Sequence, residues 1–110
     1  MSLYMYQLAY TPESWAAQLK NPQNRIEAVG RPACEAVGGT LVGGWLCFGE
    51  YDVVLIIDVP NNESMSAIAI AVAAGGAIKA SKTTVLMTGA EGIGAMKKTA
   101  DIAKVYKPAR

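Results

Sequence analysis

The residues best suited to chemistry lie in and around one predicted turn. Tyr51 and Asp52 close the turn over residues 49–52, where a phenol hydroxyl and a carboxylate could line a pocket. Asp52 could also simply bond a backbone amide in its own turn, as aspartates often do. Three further side chains offer an aromatic face or bind anions: Trp45, Lys82 and Thr83. These five residues are the candidate contacts of a small-molecule site.

The chain of 110 residues contains no histidine and two cysteines, Cys34 and Cys47. The lack of histidine excludes Ser-His-Asp and Cys-His nucleophilic sites and the usual zinc, non-haem iron and haem ligand sets. Cys47 lies in an apolar run without an adjacent base, so it is expected to be a small buried hydrophobe. We therefore expect free thiols, no metal and no cofactor, and we favour binding over catalysis.

Composition predicts one folded domain over residues 1–110 that associates with itself. The chain is 52% hydrophobic and only 17% charged, and a domain this small cannot cover that much apolar surface alone. We therefore expect a homodimer or a higher homo-oligomer.

The net charge of +1 is unevenly distributed. Residues 1–76 carry three basic and seven acidic side chains, a net −4, whereas residues 77–110 carry seven basic and two acidic ones, a net +5. The basic end lacks the interleaved aromatics of a nucleic-acid surface. No apolar stretch reaches the ~18 residues of a membrane span, and no secretory leader pattern opens the chain. We expect a cytoplasmic protein that binds neither nucleic acid nor membrane.

The order of predicted elements is β-α-β-β-α-β followed by a helix. The expected strands cover residues 3–10, 41–48, 53–59 and 82–87, and the expected helices begin at Pro12, near Ile26, after Asn61 and at Glu91. Gly30 and Pro32 should kink the second helical stretch. This order is the split βαβ arrangement, an α+β ferredoxin-like sandwich with an extra C-terminal helix. Right-handed crossovers put both intervening helices on one sheet face and leave the other open.

The central hairpin divides its side chains between the two faces of the sheet. An even number of loop residues, with Phe48 opposite Val53, places Leu46, Phe48, Val53, Leu55 and Ile57 under the helices. Trp45, Cys47, Val54, Ile56 and Asp58 then share the open face, and an odd loop would exchange the two sets.

One short motif resembles a known family. A Gly-x-Tyr-Asp turn followed by a β-branched strand, FGEYDVV at residues 48–54, is similar to the signature of the GYD family of small bacterial and archaeal proteins. Four further segments fall where that family has similar features: YTPE at 10–13, GG at 38–39, VPN at 59–61 and KTT at 82–84. The resemblance covers roughly residues 3–100 and implies a dimeric α/β barrel, in which two sheets pack face to face. It implies no established activity.

Two classes of function remain. The first is a homo-oligomeric small-molecule-binding protein with a cavity between its sheet and a partner subunit, which could extend to a cofactor-free enzyme of the dimeric α/β barrel class. The second is a regulatory or structural oligomer of the signalling-trimer or shell-tile type, an analogy of fold alone. The small residues of the stretch 67–80 would suit tight subunit packing in such an assembly.

Metal independence follows directly from the composition. Elemental analysis of the purified protein should find no stoichiometric transition metal, because the chain lacks histidine and its two cysteines have no zinc-site spacing. One zinc or iron per chain, lost in a Cys47→Ser variant, would overturn this prediction.

Overall fold

The computed structural model describes all 110 residues as a four-stranded antiparallel sheet with helices. In chain order the elements are β1 Ser2–Tyr10, α1 Pro12–Lys20, a π-helical turn Ile26–Gly30 continuing into α2 Arg31–Ala36, β2 Thr40–Leu46, β3 Val53–Val59, α3 Asn62–Ala74, β4 Ile78–Leu86 and α4 Gly89–Ala103. The strand order is β2-β3-β1-β4. This order is that of a ferredoxin-like fold and confirms the predicted α+β class.

Side-chain caps set the starts of three helices. Thr11 and Asn61 accept hydrogen bonds from the backbone amides of Ser14 and Ser64, and Pro12 occupies the first turn of α1. Thr88 and Glu91 form a reciprocal capping box at the start of α4. Helix α4 therefore begins at Gly89, two residues before the start predicted at Glu91. Glu91 is the third residue of its first turn.

The first crossover is irregular where Gly30 and Pro32 predicted a kink. Pro32 has no amide to donate to the carbonyl four residues earlier, so a regular α-helix cannot continue through it. The irregularity takes the form of a π-helical turn, in which the amide of Arg31 donates to the carbonyl of Ile26. A bidentate ion pair between Arg31 and Glu27 spans the same turn on its exposed side.

The hairpin register differs from the prediction by two residues, both on the β2 side of the loop. Leu46 pairs with Val53 and Trp45 with Val54, so the loop has six residues instead of four. Both loop lengths are even, and the assignment of the strand residues to the two faces is therefore correct. Three residues depart from the prediction. Cys47 and Phe48 lie in the loop, where Phe48 is fully exposed, and Leu46 is on the predicted face but is 68% exposed rather than covered by the helices.

The core lies between the sheet and its helices. The helix-facing residues of the strands are buried, and α2 and α3 add Cys34, Met65 and Ile68. The buried strand residues are Tyr4, Tyr6, Leu8, Leu41, Val53, Leu55, Ile57 and Val59. Strand β4 begins four residues earlier than predicted. Leu19 of α1 is 75% exposed, and Trp15 packs edge-on against Tyr10 at a centroid distance of 5.1 Å.

The opposite face of the sheet and the last helix have no cover in the chain. Leu3, Met5, Val54 and Ile56 share this open face in register and are half-buried. Helix α4 has no buried residue and makes no more than marginal contact with any other element. It extends the molecule to 60 × 34 × 23 Å with a radius of gyration of 17.5 Å, whereas a compact domain of this length has a radius near 13 Å, roughly.

A glycine at the entry to β2 is required by a close approach. A Cβ on Gly39 would lie 2.5 Å from Val59 Cγ1 and 2.6 Å from the Asp58 carbonyl oxygen. Since the backbone carbonyl cannot move aside, Gly39→Ala should lower the free energy of unfolding by about 2 kcal/mol, measured by urea denaturation. Gly30→Ala is the matched control, because its nearest neighbours lie at 3.9 Å, and equal stability of the two variants would contradict the prediction.

Candidate functional site

Asp52 ties the hairpin loop to the end of β1. Its Oδ2 accepts a hydrogen bond from the backbone amide of Tyr10 at 2.9 Å, and its own amide donates to the carbonyl of Leu8 at 2.8 Å. Its carbonyl accepts from the amide of Cys47 at 2.9 Å. The side chain thus bonds a backbone amide, but on a strand 42 residues away rather than in its own turn. The expectation of a local turn bond was wrong.

The rest of the motif also makes backbone contacts. Gly49 has φ +123°, a backbone conformation that residues other than glycine rarely adopt. Tyr51 is half-buried, and its carbonyl accepts from the Cys47 thiol, with 3.2 Å between sulfur and oxygen. Cys47 is free and half-buried, so it is less enclosed than expected.

The other three candidate residues lie apart from this loop and from one another. Trp45 is on the open face and 58% exposed, with its ring against Gly43. Lys82 is exposed on the same face, opposite Gln7, and Thr83 is on the helix-covered face, opposite Tyr6. Because β3 and β1 separate β2 from β4, Trp45 and Lys82 are about 14 Å apart across the sheet. Of the five candidates, the structure brings together only Tyr51 and Asp52.

A separate cleft opens on the helix-covered side of the sheet, between the first crossover and α3. Its volume is about 430 Å³, and 15 of its 18 lining residues are hydrophobic. The floor is formed by β1 and β3. The two walls include Ile26, Val29 and Ala33 from the crossover and Ile68, Ala71 and Val72 from α3. None of the five candidates predicted from sequence lines this cleft.

Four side chains of the cleft lining carry a polar atom: Tyr6, Tyr10, Arg25 and Cys34. Tyr6 is 1% exposed, and its hydroxyl forms no hydrogen bond of normal geometry, although the Ser81 side chain lies close enough to oppose the effect of burial on its pKa. Burial raises the pKa of this phenol, so it stays protonated and can donate a hydrogen bond. Burial also raises the pKa of the Cys34 thiol, against the opposing effect of Arg31. Arg25 is exposed and makes no ion pair.

The remaining chemistry-bearing side chains are dispersed. No three His, Cys, Asp or Glu side chains come together in a geometry that could hold a metal ion. None of the helices combines the length and the apolarity that crossing a bilayer requires.

Comparison with known proteins identifies the family. The model of the GYD domain family matches residues 4–100. The chain belongs to the GYD domain family. No curated protein sequence matches it significantly. A solved structure titled as the crystal structure of MtbAldR is similar with a TM-score of 0.60 and 13% identity, over 79% of this chain and 52% of that one. The GYD chain thus spans about half the length of MtbAldR, and this likeness shows the fold alone.

The sequence held a signal for the cleft of this GYD domain that was not used. Ala71, Gly75 and Ala77 line the cleft and belong to the small-residue stretch 67–80, which was interpreted as a packing surface. Small side chains on one wall leave room above the sheet. Tyr6 likewise stands in the alternating pattern of β1, but a tyrosine under helices gives no sign from sequence that its hydroxyl is unpartnered.

Removal of the Asp52 carboxylate should destabilise the GYD fold. Asp52→Ala leaves the amide of Tyr10 without its acceptor and should cost about 2 kcal/mol of unfolding free energy. Asp52→Asn retains an acceptor oxygen and should lose less than about 1 kcal/mol. Urea denaturation of both variants tests this, with Tyr51→Phe as the control because only the backbone of Tyr51 makes a hydrogen bond. Wild-type stability of Asp52→Ala would refute the structural role.

Proposed function

We propose that this GYD domain is a homo-oligomeric protein that binds a small, largely apolar molecule in the cleft between the first crossover and α3. The observation that carries the proposal is the cleft itself. Its volume of about 430 Å³ falls within the roughly 300–1,000 Å³ of small-molecule sites, which are typically apolar with a few polar groups. The site is in one chain, rather than between a sheet and its partner.

The Tyr6 hydroxyl supports a ligand with an acceptor oxygen. A buried hydroxyl without a partner costs about 1–3 kcal/mol, and a ligand oxygen would remove that cost. The raised pKa of Tyr6 keeps it a donor at neutral pH. The apolar walls would take a hydrocarbon or aromatic body of the same ligand.

The cleft chemistry supports binding rather than turnover. Catalysis by proton transfer would need a group that titrates near neutrality, and nucleophilic catalysis a thiolate or an activated hydroxyl. The phenol of Tyr6 and the thiol of Cys34 are instead both held in their protonated forms by burial. No carboxylate is among the lining residues.

The uncovered sheet face supports self-association. Ile56 and its apolar neighbours Leu3, Met5 and Val54 have no cover within the chain, and Trp45 is 58% exposed beside them. Large uncovered apolar patches mark interaction sites. The same surface favours the second candidate function, a regulatory or structural oligomer, which would require no ligand.

Probe binding to cleft variants separates the two functions. The fluorescent probe 1-anilinonaphthalene-8-sulfonate should bind the wild type, and Ala71→Phe should weaken binding at least about tenfold because the ring fills the cleft. Ala73→Phe, on the same helix but outside the lining, is the matched control and should bind normally.

The hydroxyl is tested with octanoate, which displaces the probe and offers an acceptor oxygen. Tyr6→Phe should weaken octanoate binding about tenfold.

Equal probe binding by Ala71→Phe and Ala73→Phe would place the probe outside the cleft and leave the assembly function as the better account.

A further inference from the structure

A second, smaller cleft adjoins the first at the end of the sheet where β1 stops and β3 starts. Its volume is about 320 Å³, and it lies between α1, the loop that leads into the first crossover and the adjoining strand ends. Four residues line both clefts: Tyr10, Arg25, Ile26 and Val53. Because the two linings share these residues, a single ligand can extend from the first cleft into the second.

The two clefts differ in chemistry. The first is almost entirely apolar, whereas four of the nine residues that line the second carry an amide or a guanidinium group: Gln18, Gln23, Asn24 and Arg25. The amide oxygen of Asn24 accepts a hydrogen bond from the backbone amide of Glu27, so its NH₂ group remains as a donor. No acidic residue lines either cleft. The second cleft therefore suits a group rich in acceptor oxygens, and the first suits an apolar chain.

Arg25 is the one charged side chain in the two linings. It makes no ion pair, unlike Arg31, which pairs with Glu27. Its side chain also makes no cap bond to the helical turn that follows it. The guanidinium group of Arg25 is thus available to an anion, and its planar set of donors matches the two oxygens of a carboxylate.

The Tyr6 hydroxyl and Arg25 provide two polar anchors that are separated by apolar surface. Tyr6 lines the first cleft only, and Tyr10, which lines both clefts with Arg25, follows it by four residues on β1. This separation is about 13 Å along the strand. Leu8 and its strand partner Val53 form an apolar floor between the two anchors. A matching ligand has a polar group at each end and an apolar chain of similar length between them.

We propose that the ligand of this domain is two-ended, with an acceptor oxygen at Tyr6, an apolar chain in the first cleft and a carboxylate on Arg25 where the two clefts meet. The inference rests on the ligand site of the proposed function and adds a second polar anchor to it. The amides of the second cleft offer further donors to the same carboxylate. The ligand class is therefore a medium-chain carboxylate that carries an oxygen at its far end.

Isothermal titration calorimetry with decanoate and decanedioate tests the second anchor. The two compounds share one chain, and the extended diacid is close in length to the span between the anchors. The wild type should bind decanedioate about tenfold more tightly than decanoate, because the second carboxylate pairs with Arg25. In Arg25→Gln that carboxylate has no counter-ion, so decanedioate should bind no more tightly than decanoate.

Lys20→Gln is the matched control for the loss of one positive charge. Lys20 lines neither cleft, so this variant should keep the wild-type preference for decanedioate. Decanoate itself should bind all three proteins alike, since its single carboxylate lies at Tyr6. Thermal melting by circular dichroism checks that both variants are folded.

Equal affinity of the wild type for the two compounds would overturn the anchor at Arg25, as would a preference for decanedioate that persists in Arg25→Gln. Weaker decanoate binding by Arg25→Gln would place a single carboxylate on Arg25 and so refute the two-ended arrangement. A wild type that binds neither compound refutes the ligand site of the proposed function. Normal decanoate binding without a preference for the diacid refutes only the second anchor, so the two failures are distinguishable.

Discussion

A four-stranded sheet that is apolar on both faces can be covered by its own crossover helices on one face only. In this chain the helices cover Tyr4, Tyr6, Leu55 and Ile57, whereas Met5 and Ile56 on the other face have no cover. The right-handedness of the βα crossovers imposes this asymmetry. The surplus apolar surface on the open face is the observation that supports the proposed self-association, and it results from the same constraint that forms the core.

The elements predicted from sequence are those governed by local rules. Thr11 with Pro12, and Asn61, mark helix starts through contacts with their own neighbours, and the faces of the hairpin depend only on whether the loop length is even. The prediction wrongly placed Phe48 in the strand, because the number of residue pairs in the hairpin depends on the residue at which the loop leaves the sheet. That point is set by the bonds of Asp52 to Tyr10 and Leu8, which join residues distant in sequence.

Whether the predicted site residues lie close together depends on the order of strands in the sheet, which their spacing along the sequence does not show. Trp45 and Lys82 each carry suitable chemistry, but two intervening strands separate them. The cleft, by contrast, exists because the first crossover and α3 stand apart above the sheet. The width of the cleft depends on the side-chain volumes of both walls together. A periodic pattern in the sequence of one helix describes that helix alone and not the wall opposite. The environment of the Tyr6 side chain also depends on residues distant in sequence, because its strand partners are Leu55 on β3 and Thr83 on β4.

The family motif and the cleft serve different purposes in this fold. Gly49 supplies a backbone conformation, the carbonyl of Tyr51 accepts from a thiol, and Asp52 binds backbone groups of β1 and the loop. The bonds of Asp52 fix the position of the hairpin relative to β1, whereas Gly49 and Tyr51 act within the loop, and none of the three residues lines the cleft. Because this motif positions the hairpin and does not line the cleft, it places little restriction on which ligand the cleft could bind. The cleft walls come from the crossover and α3, so their side chains can change while the Gly-x-Tyr-Asp loop and the sheet it anchors stay the same.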